Sequence, residues 1–363
     1  MPYAYADKVT PSVLSPESLD WYLGQGWYRM GDSMFTTHFL FFGGVPYSAI
    51  WIRQSLAGFG FSKSQRKLMR KNAKLFRVAV GPRVIDEERN ELFRRYADDF
   101  DGQLSHSIAE SMQDFMDPPA LFNTYEVTVR DRVSGQLVAV SYFDLGERTA
   151  ASILGIYDPL LKTFSLGYYT MLLEMEFCLS QGMEHYYPGY VVPDYGRFDY
   201  KLRLGPSEYY DVRTESWLPY DGADIARNGP VQSQLHHLRA LLHTLAPASA
   251  PEEAILIYPL FEAGLYNLPE GEYLPYPYFL PLRVMNAHRL QIIVFDPHEQ
   301  AYFVLLVRHA MAAQQAFNPN YLNSFDADRY FCSLMAVEET LTRAASPPAL
   351  LMAVRQLAAD EPI

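Results

Sequence analysis

The stretch GIYDPLLKTFSLGYYTMLLEMEF, from Gly155 to Phe177, indicates the fold of the middle of the chain. It contains the end of a predicted strand at Tyr157, a loop, and the start of a predicted helix at Ser165. Backbone N–H groups and the positive end of the helix dipole bind anions well at such a junction. Ser165 and Gly167 are therefore candidate anion-binding residues, although an ordinary capped helix with a glycine for close packing gives the same pattern.

The segments around this stretch alternate between predicted strands and helices. Before it, Phe122 to Asp131 and Gln136 to Leu145 are predicted to form a hairpin, and Ala150 to Tyr157 is a third strand. After it, the helix Ser165 to Ser180 leads to a fourth strand, His185 to Val192. A meander followed by strand–helix–strand is the order of the GNAT acyltransferase core. We therefore predict an α+β fold (mixed α/β) with a GNAT-like core.

A second informative stretch is SKSQRKLMRKNAKLFR, from Ser62 to Arg77, which contains seven Lys or Arg residues and no acidic residue. The net charge of the whole chain is nevertheless -12. The basic residues recur every three or four positions and form a stripe along one helix face, which suits a phosphate backbone. A solvated helix face is the other interpretation of such a charge run. The candidate phosphate-binding residues of this basic stripe are Lys63, Arg66, Lys67, Arg70, Lys71 and Lys74.

The composition excludes several classes of protein. Hydrophobic residues make up 49% of the chain and charged residues 20%, as is typical of a soluble globular protein. Two cysteines, Cys178 and Cys332, are too few for a disulfide framework or a cysteine metal cluster. The first residues lack the pattern of a signal peptide, and no apolar run has the length that spans a bilayer. We therefore expect a cytoplasmic protein without a membrane partner.

Seven motifs resemble, in order and spacing, those of the aminoacyl-tRNA–protein transferases. This family includes the eukaryotic arginyltransferases and the bacterial leucyltransferases of the N-degron pathway. The resemblance covers roughly residues 15 to 221. The motifs are LDWYLGQGWYRMG (19–31), VPYSAIWIR (45–53), GFSKSQRKLMRKN (60–72), YFDLG (142–146), GIYDPLLKTFSLGYYTMLLEMEF (155–177), GYVVPDYGRFDYKLRLGPSEYYD (189–211) and ESWLPYD (215–221).

The resemblance implies an enzyme that moves an amino acid from charged tRNA to the α-amine of a protein or peptide, as an arginyltransferase does. Its partners would be aminoacyl-tRNA, bound by the basic stripe and by Ser165 and Gly167, and an acceptor with a free, acidic N-terminus. Neither DNA nor a cofactor is implied. Two alternatives stay open: an N-acyltransferase that uses acyl-CoA, and a degenerate member that binds tRNA or N-termini without transfer.

The resemblance also implies candidate acceptor-binding residues. Tyr200 and Lys201 match the Tyr-Lys pair that precedes the family's Pro-Ser/Val-Glu stretch, although a surface strand with alternating charges would look similar. A half-buried cation is a physical means of selecting a carboxylate. The family usually has two adjacent arginines where this chain has Tyr28 and Arg29. Arg29, and with it Arg53, could bind either a substrate carboxylate or a terminal phosphate.

Three polar residues inside apolar segments are candidate catalytic groups. Asp144 lies in a predicted strand, Tyr157 at a strand end, and Glu174 within the predicted helix, where it resembles a family glutamate. A carboxylate in an apolar element needs a partner or a function, so a hydrogen bond within the core is an equally good interpretation of Glu174.

The absence of cysteines before the motif Val45-Pro46-Tyr47 predicts that no metal is bound. The family usually carries cysteines there, and these are linked to an iron–sulfur or metal site. The corresponding stretch of this chain, HFLFFGGV from His38 to Val45, contains none. A single histidine, His38, cannot hold a metal, so we expect neither a cluster nor another cofactor.

The chain is predicted to contain three parts. Residues 1–118 form an N-terminal transferase region with the basic helix, residues 119–221 the GNAT-like catalytic core, and residues 222–363 an α+β extension of unknown role. The Ala/Pro-rich segment Thr244 to Glu253 is predicted to be a linker within the extension. Asp326 to Arg343 is predicted to be a helix there.

Overall fold

The computed structural model describes residues 3–99, 105–112, 121–245, 254–266, 268–269 and 271–360, so most of the predicted linker Thr244 to Glu253 lies outside the described residues. The strands are β1 Ala6–Val9, β2 Tyr28–Met30, β3 Ser33–Thr37, β4 Phe39–Phe42, β5 Val45–Ser48, β6 Ile50–Ser55, β7 Phe76–Pro82, β8 Thr124–Asp131, β9 Leu137–Leu145, β10 Thr149–Tyr157, β11 His185–Val191, β12 Ser207–Asp211, β13 Ser216–Pro219, β14 Leu256–Ile257, β15 Tyr278–Asn286, β16 Arg289–Asp296, β17 Ala301–His309 and β18 Met335–Ala344.

Helices cover the faces of the sheets that these strands form. They are α1 Pro16–Gly24, α2 Lys63–Leu75, α3 Glu87–Asp98, α4 Ile108–Met112, α5 Leu166–Ser180, α6 Gly222–Asn228, α7 Pro230–Leu245, α8 Met311–Gln314, α9 Pro319–Leu322 and α10 Pro347–Asp360. Two 3₁₀ segments, Pro159–Phe164 and Gly196–Leu204, lie directly before α5 and between β11 and β12.

The main sheet has eight strands in the order β13-β12-β6-β11-β10-β9-β8-β7. The pair β10–β11 is parallel, and the strands β8, β9 and β10 form an antiparallel meander before α5. This is the order of elements expected of a GNAT-like core, so the predicted α+β fold of that type is confirmed. Strands β6 and β7 come from the region before residue 119 and complete the sheet on both sides. The division into three domains stays a prediction.

Each face of the main sheet is covered by a helix because the strands carry apolar residues on both sides. Helix α5 is apolar all around its circumference, and its buried residues pack with Val127, Val129 and Phe143 of the sheet. On the opposite face, Leu92 and Phe93 of α3 pack against Val140, Ile156 and their neighbours. The C-terminal part of β10 is thus held between two helices.

The basic helix α2 forms as the sequence predicts. Ser62 caps it by accepting a hydrogen bond from the Gln65 backbone N–H, and the Gln65 side chain accepts one from the Ser62 N–H. Beyond Leu75 the chain turns directly into β7, whose Phe76 is buried in the core. The prediction of a basic helix is therefore confirmed, and a strand follows it directly.

The extension forms a second sheet of five antiparallel strands, β14-β15-β16-β17-β18. The predicted helix Asp326 to Arg343 is wrong, because its second half is the strand β18. The β-branched residues Val337, Thr340 and Thr342 pair with β17, and this tertiary pairing prevails over the helical spacing of the apolar residues. The edge position of β18 also explains its charged residues, Glu338 and Glu339.

Candidate active site

A cavity opens where the parallel strands β10 and β11 separate. Pairing between them is confined to Thr149–Ala151 and His185–Tyr187. The next residue of β11, Pro188, has no N–H to donate, and Gly189 has a φ of +94°. In β10, Ile153 is an extra residue relative to β9, which bends the strand. The two strands therefore stop pairing after their first three residues.

The cavity between the separated strands has a volume of about 1240 Å³. It is lined by β10, β11, the first half of α5, the 3₁₀ segment Gly196–Leu204 and the β4–β5 hairpin. Aromatic rings form much of its lining, and they include Phe41, Phe42, Trp51, Tyr190, Tyr195 and Tyr321. Such a mixed aromatic and polar lining is typical of small-molecule and cofactor sites.

Seven of the predicted site residues line this cavity, and these are Arg29, Tyr157, Ser165, Gly167, Glu174, Tyr200 and Lys201. Asp144, Arg53 and the six residues of the basic stripe do not line it. The structure thus brings together candidates that were predicted as catalytic, acceptor-binding and tRNA-binding from motifs far apart in the sequence. Their roles stay predictions.

Glu174 lies at the bottom of the cavity, and its side chain is completely buried. The Tyr186 hydroxyl donates a hydrogen bond to Oε2 at 2.6 Å, whereas Oε1 has no hydrogen-bond partner among the described residues. Burial raises the pKa of Glu174 to about 7, against the opposing effect of the hydroxyls of Ser141, Tyr186 and Ser152. This carboxylate can therefore exchange a proton near neutral pH.

Lys201 projects into the cavity wall from the 3₁₀ segment Gly196–Leu204, which forms in place of a surface strand. Its Nζ donates a hydrogen bond to the Tyr190 carbonyl oxygen at 2.9 Å and lies 5.3 Å from the Phe198 ring centre. No carboxylate of the described residues lies within salt-bridge distance of Nζ. Desolvation lowers the pKa of Lys201 to about 7.

Tyr200 places a phenol group near Glu174, and Tyr157 places a second one near Tyr200. Burial raises the pKa of Tyr200 to about 12, and the negative charge of Glu174 and the nearby Tyr157 contribute to that shift. Tyr157 is half-buried and makes an edge-on ring contact with Tyr96, 5.2 Å between centres. With its pKa this high, Tyr200 is protonated at neutral pH and can donate a hydrogen bond to a substrate oxygen.

Arg29 and Asp144 form a buried ion pair beside the cavity. Arg29 Nη1 lies 3.1 Å from Asp144 Oδ1, and the Thr124 hydroxyl donates a second hydrogen bond to that oxygen at 2.5 Å. The guanidinium also donates to the carbonyl oxygens of Gly31 and Met112. Burial raises the pKa of Asp144, and Arg29 opposes that shift. These are the contacts of a structural ion pair, and they leave Asp144 behind the cavity wall.

Arg53 lies outside the cavity and is engaged elsewhere. Its Nε donates to Glu208 at 2.6 Å, and its guanidinium lies 4.6 Å from the Trp217 ring centre. Glu208 belongs to the adjacent strand β12, directly opposite Arg53. This cross-strand pair gives Arg53 a carboxylate partner outside the cavity lining, and its role in acceptor binding stays a prediction.

Helix α5 begins at the mouth of the cavity with exposed backbone donors. Ser165 precedes it in the left-handed conformation, with a φ of +52°, and its side chain makes no capping hydrogen bond. A Cβ atom on Gly167 would lie 3.0 Å from the Tyr157 ring, so the glycine permits close packing there. The first turn of α5 therefore meets the cavity with its N–H groups uncapped by Ser165.

The basic stripe is exposed and held next to this junction. Its side chains are all exposed, and Lys71 Nζ lies 5.2 Å from the Phe164 ring centre. The buried Asn72 donates a hydrogen bond to the Phe164 carbonyl oxygen at 2.9 Å. Because Phe164 immediately precedes Ser165, the Lys71 end of the stripe lies next to the start of the cavity lining.

The sequence did not single out two serines and one tyrosine that line the cavity. Ser141 and Ser152 lie beside Glu174, and Tyr321 comes from the extension. A serine within the apolar run VAVSYF, residues 138–143, was a usable signal for Ser141, because a buried hydroxyl needs a partner. No comparable signal marked Tyr321, since the extension reaches the cavity through tertiary contacts. Among these, the Tyr330 hydroxyl donates to the Gly44 carbonyl oxygen at 2.9 Å.

The described residues contain no group of three His, Cys, Asp or Glu side chains that could hold a metal ion. His38 is buried and bonded to the Tyr3 hydroxyl at 3.1 Å, and burial lowers its pKa to about 3. The structure of the described ranges also includes no helix with the length and hydropathy to cross a membrane.

Comparison with known proteins identifies relatives for part of the chain. Residues 88–211 match the family model of the C terminus of arginine-tRNA-protein transferase. An aspartate/glutamate leucyltransferase of Ruegeria pomeroyi is 32% identical over 161 residues, which cover 44% of this chain and 58% of that protein. The chain therefore spans less than two thirds of that relative's length.

Two further similarities differ in strength. An aspartate/glutamate leucyltransferase of Stenotrophomonas maltophilia strain K279a is 26% identical over 221 residues, 58% of this chain and 81% of that protein. The crystal structure of FemX covers 54% of this chain and 68% of its own, with 11% identity and a TM-score of 0.35. The sequence matches include the motifs around β9, α5 and β11. Residues 88–211 are thus similar to the aminoacyl-tRNA–protein transferase family.

Proposed function

We propose that this chain transfers an amino acid from aminoacyl-tRNA to the N-terminal α-amine of a protein or peptide. The observation that carries the proposal is the continuity of the basic stripe with the cavity. Asn72 and Lys71 of α2 contact Phe164, and Ser165 begins the cavity lining. An RNA backbone on the stripe would direct a 3′ end toward the uncapped start of α5.

The reaction would be an aminolysis of the ester at the tRNA 3′ end. The amine nitrogen forms a bond to the ester carbonyl carbon, and the bond from that carbon to the 3′ oxygen breaks. The amine loses a proton, and the 3′ oxygen takes up a proton and leaves as a hydroxyl group. An α-amine has a pKa of roughly 7.7–8.0, so the enzyme needs mainly orientation, an oxyanion donor and a weak base. Glu174 has a pKa suited to the base, and the phenol of Tyr157 or Tyr200 suits the donor.

The acceptor, in this proposal, begins with aspartate or glutamate. Two observations support it: the relatives are named aspartate/glutamate leucyltransferases, and Lys201 presents a cation to the cavity without a carboxylate partner among the described residues. A carboxylate bound in such a wall requires a positive group to offset its desolvation.

The transferred amino acid is arginine or leucine in this proposal. The matched family model carries the arginyl name, whereas the relatives carry the leucyl name. The aromatic walls suit an apolar side chain, and they also suit a guanidinium stacked on a ring. Addition of either residue to a protein N-terminus is chemistry of an N-degron pathway, in the cytoplasm.

The proposal is tested by offering the full chain two labelled donors with an Asp-initiated peptide. Arginine or leucine on tRNA should label the peptide, and acetyl-CoA should not. Labelling from acetyl-CoA alone would identify an acyl-CoA-dependent N-acyltransferase. Binding of charged tRNA without labelling from either donor would identify a binding protein without transferase activity.

A further inference from the structure

Three polar side chains meet at the bottom of the cavity and form what we call the cavity floor: Ser141 of β9, Ser152 of β10 and Glu174 of α5. Ser152 lies opposite Phe143, two residues from Ser141, so both serines occupy the sheet face that packs against α5. The extra residue Ile153 gives β10 this register. The fold thus brings two hydroxyl groups and a carboxylate close together.

The cavity floor contains hydrogen-bonding atoms without partners. Glu174 Oε1 and Ser141 Oγ are buried, and neither has a hydrogen-bond partner among the described residues. The Tyr186 hydroxyl donates a hydrogen bond to the other carboxylate oxygen of Glu174 and holds this carboxylate in position. Unpaired buried polar atoms are costly, and most of those in native proteins are satisfied by a partner. Two of them beside one cavity are therefore candidate acceptors for a ligand that donates hydrogen bonds.

We propose that the cavity floor is a binding subsite for the primary ammonium group of a substrate. A primary ammonium has three N–H donors in a compact arrangement, and the floor offers one carboxylate oxygen and two hydroxyl oxygens. The carboxylate also balances the positive charge. Glu174 contacts the substrate ammonium in this arrangement, whereas Ser141 and Ser152 act as positioning residues.

This inference rests on the proposed function, in which the substrates supply two groups of this chemistry. One is the N-terminal ammonium of the acceptor, which must reach the ester as the nucleophile. The other is the α-ammonium of the aminoacyl group on tRNA. Tyr200, which is next to the candidate acceptor residue Lys201, lies near Glu174. Glu174 in turn lies about 10 Å along α5 from Gly167, which lines the cavity near its mouth. Both placements are compatible with the same floor.

The subsite predicts discrimination between amines that differ by one substituent. An N-methylated amine retains only two N–H donors, and an N-acetylated nitrogen is a neutral amide with one. Either change removes at least one charge-assisted hydrogen bond, which should reduce affinity by about tenfold or more. A cavity that accepted the amine loosely would not make this distinction.

The experiment measures equilibrium binding of the full chain to two ligand pairs. One pair is an Asp-initiated peptide and its N-methyl form, and the other is leucyl-tRNA and its N-acetyl form. The variants are Glu174→Gln and the double change Ser141→Ala with Ser152→Ala. Glu176→Gln is the matched control, because Glu176 lies in the same helix and is exposed.

We expect the wild type and Glu176→Gln to prefer the unmodified member of one pair by at least about tenfold. Glu174→Gln should abolish that ratio, and the double serine variant should reduce it. The pair that responds identifies which ammonium occupies the floor. Equal affinity within both pairs, in a wild type that still transfers the amino acid, would overturn the subsite alone. Failure to bind either pair, together with absence of transfer, would overturn the proposed function with it.

Discussion

The side-chain amide of Gln65 donates a hydrogen bond to the Tyr168 hydroxyl at 3.0 Å, and so joins the basic helix α2 to the first turn of α5. The same amide nitrogen lies 3.0 Å and 2.8 Å from the carbonyl oxygens of Arg203 and Leu204. Gln65 is buried although it belongs to a helix whose other polar residues are mostly exposed. Gln65 thus contributes, together with Asn72, to the direction of the basic stripe relative to the cavity.

Replacing Gln65 tests this relationship. Gln65→Leu keeps the charge of the stripe but leaves the Arg203 and Leu204 carbonyl groups without this donor, which should cost about 1–3 kcal/mol of unfolding free energy. Urea unfolding measures that decrease. Affinity for tRNA should fall as well, because the stripe is no longer held at the cavity mouth. Full tRNA affinity in a destabilised but folded variant would show that the orientation of α2 is unimportant.

The basic stripe should carry the salt dependence of tRNA binding. Changing Lys67, Arg70 and Lys71 together to Ala should weaken binding and lower the slope of log K against log salt by about 0.7–0.9 for each phosphate that is no longer neutralised. The matched control is Arg227→Ala with Arg355→Ala, two exposed cations of the extension. Identical slopes for the wild type and the triple variant would leave only a solvated helix face.

Lys201 should determine the preference for acidic N-termini. Lys201→Met should reduce transfer to Asp- or Glu-initiated peptides by roughly ten- to a hundredfold through acceptor binding, with tRNA affinity retained. Because the pKa of Lys201 is lowered to about 7, this preference should decline as pH rises above 7 and the ammonium loses its proton. Lys8→Met serves as the control.

Two results would count against this role of Lys201. A variant that binds tRNA weakly but keeps its acceptor preference would assign Lys201 to a phosphate site. A wild type that prefers neutral N-termini would contradict the acidic acceptor.

We expect Arg29 to contribute mainly to the stability of the fold and not to substrate binding. Arg29→Met leaves the buried Asp144 carboxylate without its cation, which should cost about 3–5 kcal/mol of unfolding free energy. Adding Asp144→Asn should restore part of that stability, because the buried charge is then absent. Thermal unfolding of the single and double variants measures both effects. A fully stable Arg29→Met protein would instead make Arg29 available as a substrate-binding residue.

Glu174 should make stability fall as pH rises from the acidic range to neutrality. Its pKa rises from an ordinary value of 4.5 to about 7 on folding, so the native state binds more protons than the unfolded chain between these values. Unfolding free energy should therefore decrease by about 3 kcal/mol as pH increases from 4.5 to 7. Subtracting the profile of Glu174→Gln from that of the wild type isolates this contribution. Parallel profiles would mean that Glu174 titrates normally.

Local signals in the sequence were sufficient for the central strands, α5 and the capped helix α2. Each of these elements has an apolar pattern or a capping residue, and such signals depend only on residues a few positions apart in the sequence. The separation of β10 from β11 depends instead on Ile153 and Pro188, which act together only once the strands are neighbours. The strand β18 was mistaken for a helix for the same reason, because its pairing with β17 is tertiary.

The candidate site was predictable to a similar extent. Motifs resembling a known family pointed to Glu174, Lys201 and the start of α5, which the fold brings to one cavity. The sequence also pointed to Arg53 and Asp144, neither of which lines the cavity. Arg53 pairs with Glu208, and Asp144 pairs with Arg29. Whether a charged residue faces a substrate or a partner depends on three-dimensional neighbours.

The most direct test of the account is mass spectrometry of an Asp-initiated peptide after incubation with the full chain and a mixture of arginyl- and leucyl-tRNA. We predict a mass increase of one arginine or leucine residue, located at the peptide N-terminus by fragmentation. The product should be absent after treatment of the tRNA with ribonuclease, and Glu174→Gln should form it at least about tenfold more slowly. A peptide of unchanged mass, with intact charged tRNA still present and bound, would contradict the proposed transfer.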